Sequence, residues 1–112
     1  MQTTKFSQLS RPRQILIRLC QTINYGSILN LPVIEGEVRL NGVPEITFDL
    51  KLDENITSRP ELDLPDFVLS VETCRLFSQI QALNNGVIEK IIVHDGIPRR
   101  AVLRGRFQGV RL

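Results

Sequence analysis

Five arginines, Arg99, Arg100, Arg104, Arg106 and Arg111, fall within one stretch of 13 residues. A guanidinium presents a planar fork of donors that matches phosphate and carboxylate oxygens, so this cluster is a candidate site for nucleic acid or another anion. On an extended strand, Arg100, Arg104 and Arg106 share one face and Ala101, Leu103 and Phe107 the other. A bulge near Gly105 would change that parity. Two plainer readings stand beside anion binding: a solvated row of charge that protects a sheet edge, or pairing with acidic residues elsewhere in the chain. The pI of about 8.8 is low for a nucleic-acid binder. Rings to stack on bases are also few, with five Phe, one Tyr and no Trp.

The other reactive residue types are sparse. His94 is the one histidine, which excludes chemistry needing a histidine pair, and no partner that would make it a general base is visible. Cys20 and Cys74 lack the close paired spacing of a zinc site, alone or with His94. Both stand among apolar neighbours in helical stretches, where a thiolate is disfavoured, so they read as reduced core thiols rather than a nucleophile or a disulfide. Glu61, Asp63, Asp66 and Glu72 lack the Asp-x-Asp-x-Asp-Gly order of a calcium loop and read as a solvated linker. No helix follows Gly105 and Gly109, which excludes a phosphate loop there. No metal ligand set, cofactor or catalytic residue is therefore expected, and the chain is not expected to be an enzyme.

The elements that must position these residues are legible in the spacing. Ser10 and Pro12 suit a helix start, and Leu16, Leu19, Cys20 and Ile23 fall on one helical face, which predicts a helix over about 12–24. Leu69, Leu76, Ile80 and Leu83, with Phe77 beside them and Ser70 as cap, predict a second over about 70–84. Asn24-Tyr25-Gly26 and Asn84-Asn85-Gly86 are the stops, with each glycine expected in the left-handed conformation. Val87 to His94 reads as a strand ending at Asp95-Gly96, a type I′ hairpin turn, with a return strand from about Arg99 into Phe107. In the first half, Ser27 to Leu31 and Glu37 to Leu40 read as extended, with a turn at Asn41-Gly42. Ile46, Phe48, Leu50 and Leu52 then alternate with Glu45, Thr47, Asp49 and Lys51, as in a half-buried strand.

Residues 15–37 laid over 75–97, a shift of 60, give seven identities: Leu16/Leu76, Gln21/Gln81, Asn24/Asn84, Gly26/Gly86, Ile28/Ile88, Val33/Val93 and Gly36/Gly96. About one or two would arise by accident. Asn41-Gly42-Val43-Pro44 matches Asp95-Gly96-Ile97-Pro98 at a shift of 54 instead, which implies about six extra residues around Leu31 to Gly36. The expected architecture is a single α+β domain over 1–112. Repeat one spans about 10–52, an acidic linker about 53–66, and repeat two about 67–112. Each repeat is helix–strand–strand. Together they would form one small sheet with both helices on one face and approximate two-fold symmetry.

Charge follows the same division. Residues 1–44 carry five basic and two acidic groups (+3), residues 45–72 two and eight (−6), and residues 73–112 seven and two (+5). The acidic middle lies between basic ends. No basic-then-apolar leader and no apolar run of membrane-spanning length is present, so a cytoplasmic protein without membrane contact is expected. The sequon Asn55-Ile56-Thr57 then reads as coincidence.

The order of helix, Asn-(Tyr/Asn)-Gly, strand and Asp-Gly resembles the YezD-like family of short bacterial proteins. The resemblance rests on Asn84, Asn85, Gly86, Val87, Ile88, Glu89, Ile91, Ile92, His94, Asp95 and Gly96, and more weakly on Ile23 to Ile28. It implies a fused duplicate of a single-unit protein and carries a fold outline without an activity. The extra residues before Asn41 and the acidic linker depart from the single-unit pattern. The leading expectation is a non-enzymatic binding or assembly module, with a homo-oligomer through sheet edges as one form of it. Nucleic-acid or other anion binding by the arginine-rich strand is the alternative.

Overall fold

Helix α1 (Arg11–Ile23) begins with Pro12 in its first turn, where a missing N–H costs nothing. Ser10 precedes it, but its hydroxyl donates to Glu37 Oε2 at 2.8 Å instead of capping the helix. Helix α2 (Val71–Leu83) is capped as expected: Ser70 Oγ accepts from the Thr73 N–H at 3.1 Å. The computed structural model describes residues 4–40, 42, 44–53 and 64–106.

Both helices stop in the same way, and not by the expected device. Asn24 and Asn84 each have φ 62° and ψ −59°. The N–H of the next residue, Tyr25 or Asn85, donates back to Ile23 or Leu83 O at 2.7 Å. This is a γ-turn with positive φ, which asparagine tolerates better than most residues. The asparagine reverses the chain, and Gly86 does not have a positive φ of the left-handed kind. Glycine is required there by close approach, since a Cβ on Gly86 would lie 2.5 Å from the Arg104 carbonyl oxygen and 2.9 Å from Leu83 Cδ1. A Cβ on Gly26 would lie 2.0 Å from the Thr47 carbonyl oxygen.

Each helix feeds a nine-residue strand, β1 (Gly26–Ile34) after α1 and β4 (Gly86–His94) after α2. In numerical order the remaining strands are β2 (Glu37–Val38), β3 (Glu45–Phe48) and β5 (Ile97–Gly105). Two-residue turns join β1 to β2 and β4 to β5. Glu35 and Gly36 have φ 53° and 76°, and Asp95 and Gly96 have φ 56° and 70°, as type I′ requires.

The Asp95-Gly96 turn is the expected one, but the first-half turn lies at Glu35-Gly36 rather than Asn41-Gly42. Of the latter pair, Asn41 is outside the described residues. From turn glycine to the residue opposite the strand-opening glycine takes 12 residues in the first half (Gly36 to Phe48) and 9 in the second (Gly96 to Gly105). The excess is thus three residues, after β2, not six around Leu31 to Gly36. The expected alternation to Leu52 also stops early. Ile46 packs on the core, whereas Phe48, Leu50 and Leu52 are 50%, 51% and 86% exposed. The return strand ends at Gly105, and Phe107 lies outside the described residues, as do residues 54–63 with the sequon, Glu61 and Asp63.

The sheet is antiparallel, in the order β2-β1-β4-β5, with β3 beside β1 on the β2 side. β1 and β4 are therefore central. Gly26 stands opposite Val93, Ile28 opposite Ile91, Leu31 opposite Ile88 and Val33 opposite Gly86. Burial along these strands falls at Ile28, Leu31 and Val33, and at Ile88, Ile91 and Val93. Spacings of three then two mean that each strand changes phase once. Asn30 (φ 57°) marks the change in β1, and a register irregularity between Ile88 and Lys90 marks it in β4. These six side chains join Leu16, Cys20, Ile23, Leu76, Ile80 and Leu83 of the helices in one core.

The N-terminal segment is held against the segment that precedes α2. Phe6 N–H donates to Phe67 O at 2.8 Å, and the two rings stack with centroids 5.0 Å apart. The Arg18 guanidinium lies 4.3 Å from the centroid of Phe6. Asp66 accepts from the Ser7 N–H (2.9 Å) and hydroxyl (2.8 Å), which hold its carboxyl below the usual carboxylate range.

Two outcomes follow. Replacing Gly86 by Ala forces a Cβ against a backbone oxygen, so equilibrium denaturation should show a loss of about 1–3 kcal/mol. An unchanged midpoint would refute the close approach. Asp66 has a lowered folded pKa, so its contribution is present above the unfolded value of about 3.9 and is lost as pH falls through the folded value. Asp66→Asn should therefore be less stable than the wild type at pH 7, and the gap should close in acid. A gap that widens below pH 4 would refute the clasp.

Candidate functional site

The arginine-rich strand lies at one edge of the sheet. β5 pairs with β4 on its inner side, and among the described residues no strand pairs with its outer side. Register sets Ala101 opposite Ile91 and Leu103 opposite Ile88, on the face that carries the core. Arg100 stands opposite Ile92 and Arg104 opposite Val87, on the other face. The alternation read from the sequence therefore holds from 100 to 104. The irregularities fall at Glu89 and Arg99 rather than at Gly105.

Of the four arginines of the run that are described, two make ion pairs. Arg99 Nη1 lies 3.4 Å from Glu72 Oε2 on α2, and Arg104 Nε lies 2.8 Å from Glu89 Oε1 on β4. Arg100 and Arg106 are exposed, and neither has an ion-pair partner among the described residues. Arg111 lies outside the described residues. Exposed pairs of this kind are worth about 0–1 kcal/mol, so Arg99 and Arg104 are lightly held.

Between α2 and the edge of β5 runs an open groove of about 420 Å³. Leu76, Pro98, Ala101 and Leu103 supply its apolar part, and Arg75 and Arg100 stand beside the Arg99–Glu72 pair. Arg75 is exposed and without an ion-pair partner among the described residues. The sequence reading missed Arg75 because it lies on a helix far from the arginine run. The signal was present all the same: Arg75 takes the place that Ile15 holds sixty positions earlier.

The remaining reactive residues sit in structural surroundings. His94 is exposed beside the β4–β5 turn, with its ring 6.0 Å from that of Tyr25, whose hydroxyl donates to Asp95. No group of three or more His, Cys, Asp or Glu that could hold a metal occurs among the described residues. No helix among them is long and apolar enough to cross a membrane. Cys20 is buried in the core, and burial pushes its thiol up to about 12. Cys74 is half-buried and lines a surface hollow with Leu9 and Phe77. Alkylation at pH 8 should therefore modify Cys74 in the folded protein and Cys20 only after unfolding. Equal native rates at the two thiols, read by peptide mass, would overturn this. No family model, curated protein or solved structure matches the chain.

Proposed function

We propose that this protein is a non-enzymatic binding or assembly module that takes up a partner strand along β5. The observation that carries the reading is the outer edge of a nine-residue strand, unpaired among the described residues and bordered by an open groove. Such an edge is a template of unpaired N–H and C=O groups, and strand addition is a recurring way to recognise an extended segment. The opposite edge offers no equal template, because it is divided between the two-residue β2 and the four-residue β3.

We further propose that the chain is a fused duplicate of a helix–strand–strand unit of YezD-like kind, with approximate two-fold symmetry. Both helices have 13 residues and both central strands nine, each pair offset by sixty. The helix-ending asparagines share one conformation. Moving both members of the Gly26–Val93 pair by sixty gives the Val33–Gly86 pair. A unit that first served as a homodimer and was then fused would leave just such a match, and its history would be one of assembly.

The second reading is anion or nucleic-acid binding by the arginine strand. Its support is Arg100 and Arg106, exposed and without ion-pair partners among the described residues, while the pairs at Arg99 and Arg104 weaken it. Hydrogen exchange on the protein with binders selected from an unbiased library of short extended peptides tests the leading reading. Amides within Arg99–Gly105 should be slowed, and those of Glu45–Phe48 left unchanged. A library that yields no binder, or binders that protect another region, would sink it.

A further inference from the structure

The groove between α2 and β5 differs from its counterpart in the first half in a way that points to its occupant. There the corresponding places on the helix are held by Ile15 and Leu19, where the second half has Arg75 and Gln79. Leu19 and Leu40, with Ile46 of β3, pack against the core, so the first half fills the space beside its helix with its own chain. The second half leaves a groove of about 420 Å³ and lines it with charge. Of its four charged residues, Glu72 is matched by Arg99 at 3.4 Å, which leaves Arg75 and Arg100 without ion-pair partners among the described residues, an excess of two positive charges.

A second copy of this chain does not suit the site. Two-fold antiparallel pairing of β5 with β5 about Val102 would set Arg100 of each copy opposite Arg104 of the other, where like charges repel. A nucleic-acid strand fits poorly too, because among the described residues no aromatic ring lines the groove to stack on a base. An extended polypeptide can pair its backbone with β5 while alternate side chains meet the groove. Pro98 lacks an N–H and closes one end of the ladder, which leaves Arg99 to Gly105 as the pairing segment. Side chains directed at the groove then meet apolar Leu76, Ala101 and Leu103 with Arg75 beside them, and those on the opposite face pass Arg100. These two guanidiniums, unmatched among the described residues, select carboxylates.

We propose that the edge of β5, with the groove between it and α2, binds an extended acidic peptide segment of a partner protein, added as a strand beside β5 with its carboxylates held by Arg75 on the groove side and by Arg100 on the opposite face. This rests on the strand-addition reading above and names the partner chemistry of the same edge. The test uses the full chain and fluorescence anisotropy with labelled short peptides of alternating Glu/Val, Ser/Val and Lys/Val, together with a single-stranded oligonucleotide. The Glu/Val peptide should bind, more weakly at high salt, and slow amide exchange in Arg99–Gly105. Arg75→Glu combined with Arg100→Glu should weaken that binding about tenfold or more and confer binding of the Lys/Val peptide, a gain that a misfolded variant could not show. Ser/Val binding as tightly as Glu/Val overturns the acidic partner while leaving strand addition standing. Binding of the oligonucleotide but of no peptide overturns the proposal in favour of anion recognition. No binding of any probe overturns both the acidic partner and strand addition to it.

Discussion

The antiparallel pairing of β1 with β4 joins segments sixty residues apart, and the hairpin turns fasten it at both ends. Gly36 N–H donates to the carbonyl of Asn84 at 2.8 Å, and Gly96 N–H donates to the carbonyl of Asn24 at 2.9 Å. Each turn thus docks on the helix end of the other half. The γ-turn at each asparagine leaves its carbonyl available to the incoming glycine. Arg13 adds a side-chain link, reaching the Gly36 carbonyl (3.2 Å) and Gln81 Oε1 (2.9 Å). Because the buried faces of β1 and β4 meet in one core, neither half encloses its own apolar side chains without the other. The cross-chain hydrogen bonds fix the register at which that burial occurs.

What the sequence revealed follows from how local each cause is. Helical periodicity and the Asp-Gly turn depend on neighbouring residues, so α1, α2 and the β4–β5 hairpin were legible to within two residues. The helix-ending role of Asn24 and Asn84 was misassigned to the glycines, because Asn-x-Gly offers two candidates for positive φ and only the contact of Gly86 with Arg104 decides between them. Glu35-Gly36 was missed as a turn because glutamate seldom opens one, although its alignment with Asp95-Gly96 carried the information. The clasp between Lys5 and Val68 spans most of the chain and has no local signature. For the groove, the arginine run marked β5 as unusual, but α2 had to be placed before Arg75 could be added to it.

The two edges of the sheet are treated differently. On the side of β1, the chain breaks its strand after Val38, gains three residues, and resumes at Glu45. That interruption shortens the edge and hides it, a common protection against unwanted pairing. On the side of β5 the strand continues from Ile97 to Gly105 with one irregularity at Arg99, and among the described residues arginines rather than a break border it. Charge at an edge repels like edges yet leaves the backbone groups available. The same residues that discourage self-association therefore set the terms on which another chain is admitted.

The central pairing also governs how the molecule reaches its fold. Helices and hairpins form in microseconds, but β1 and β4 must meet across a large sequence separation before either gains its partner's shelter. Such long-range closure slows folding far more than it lowers stability. Doubling the intervening loop costs only about 0.6 kcal/mol. The connection between the halves can consequently change in length at little thermodynamic cost where Asp66 and Phe67 keep their contacts with Ser7 and Phe6, while Asn24, Gly36, Asn84 and Gly96 are fixed by the docking of each turn. Evolution can therefore rework the connection as a site of variation without disturbing the partnership it joins.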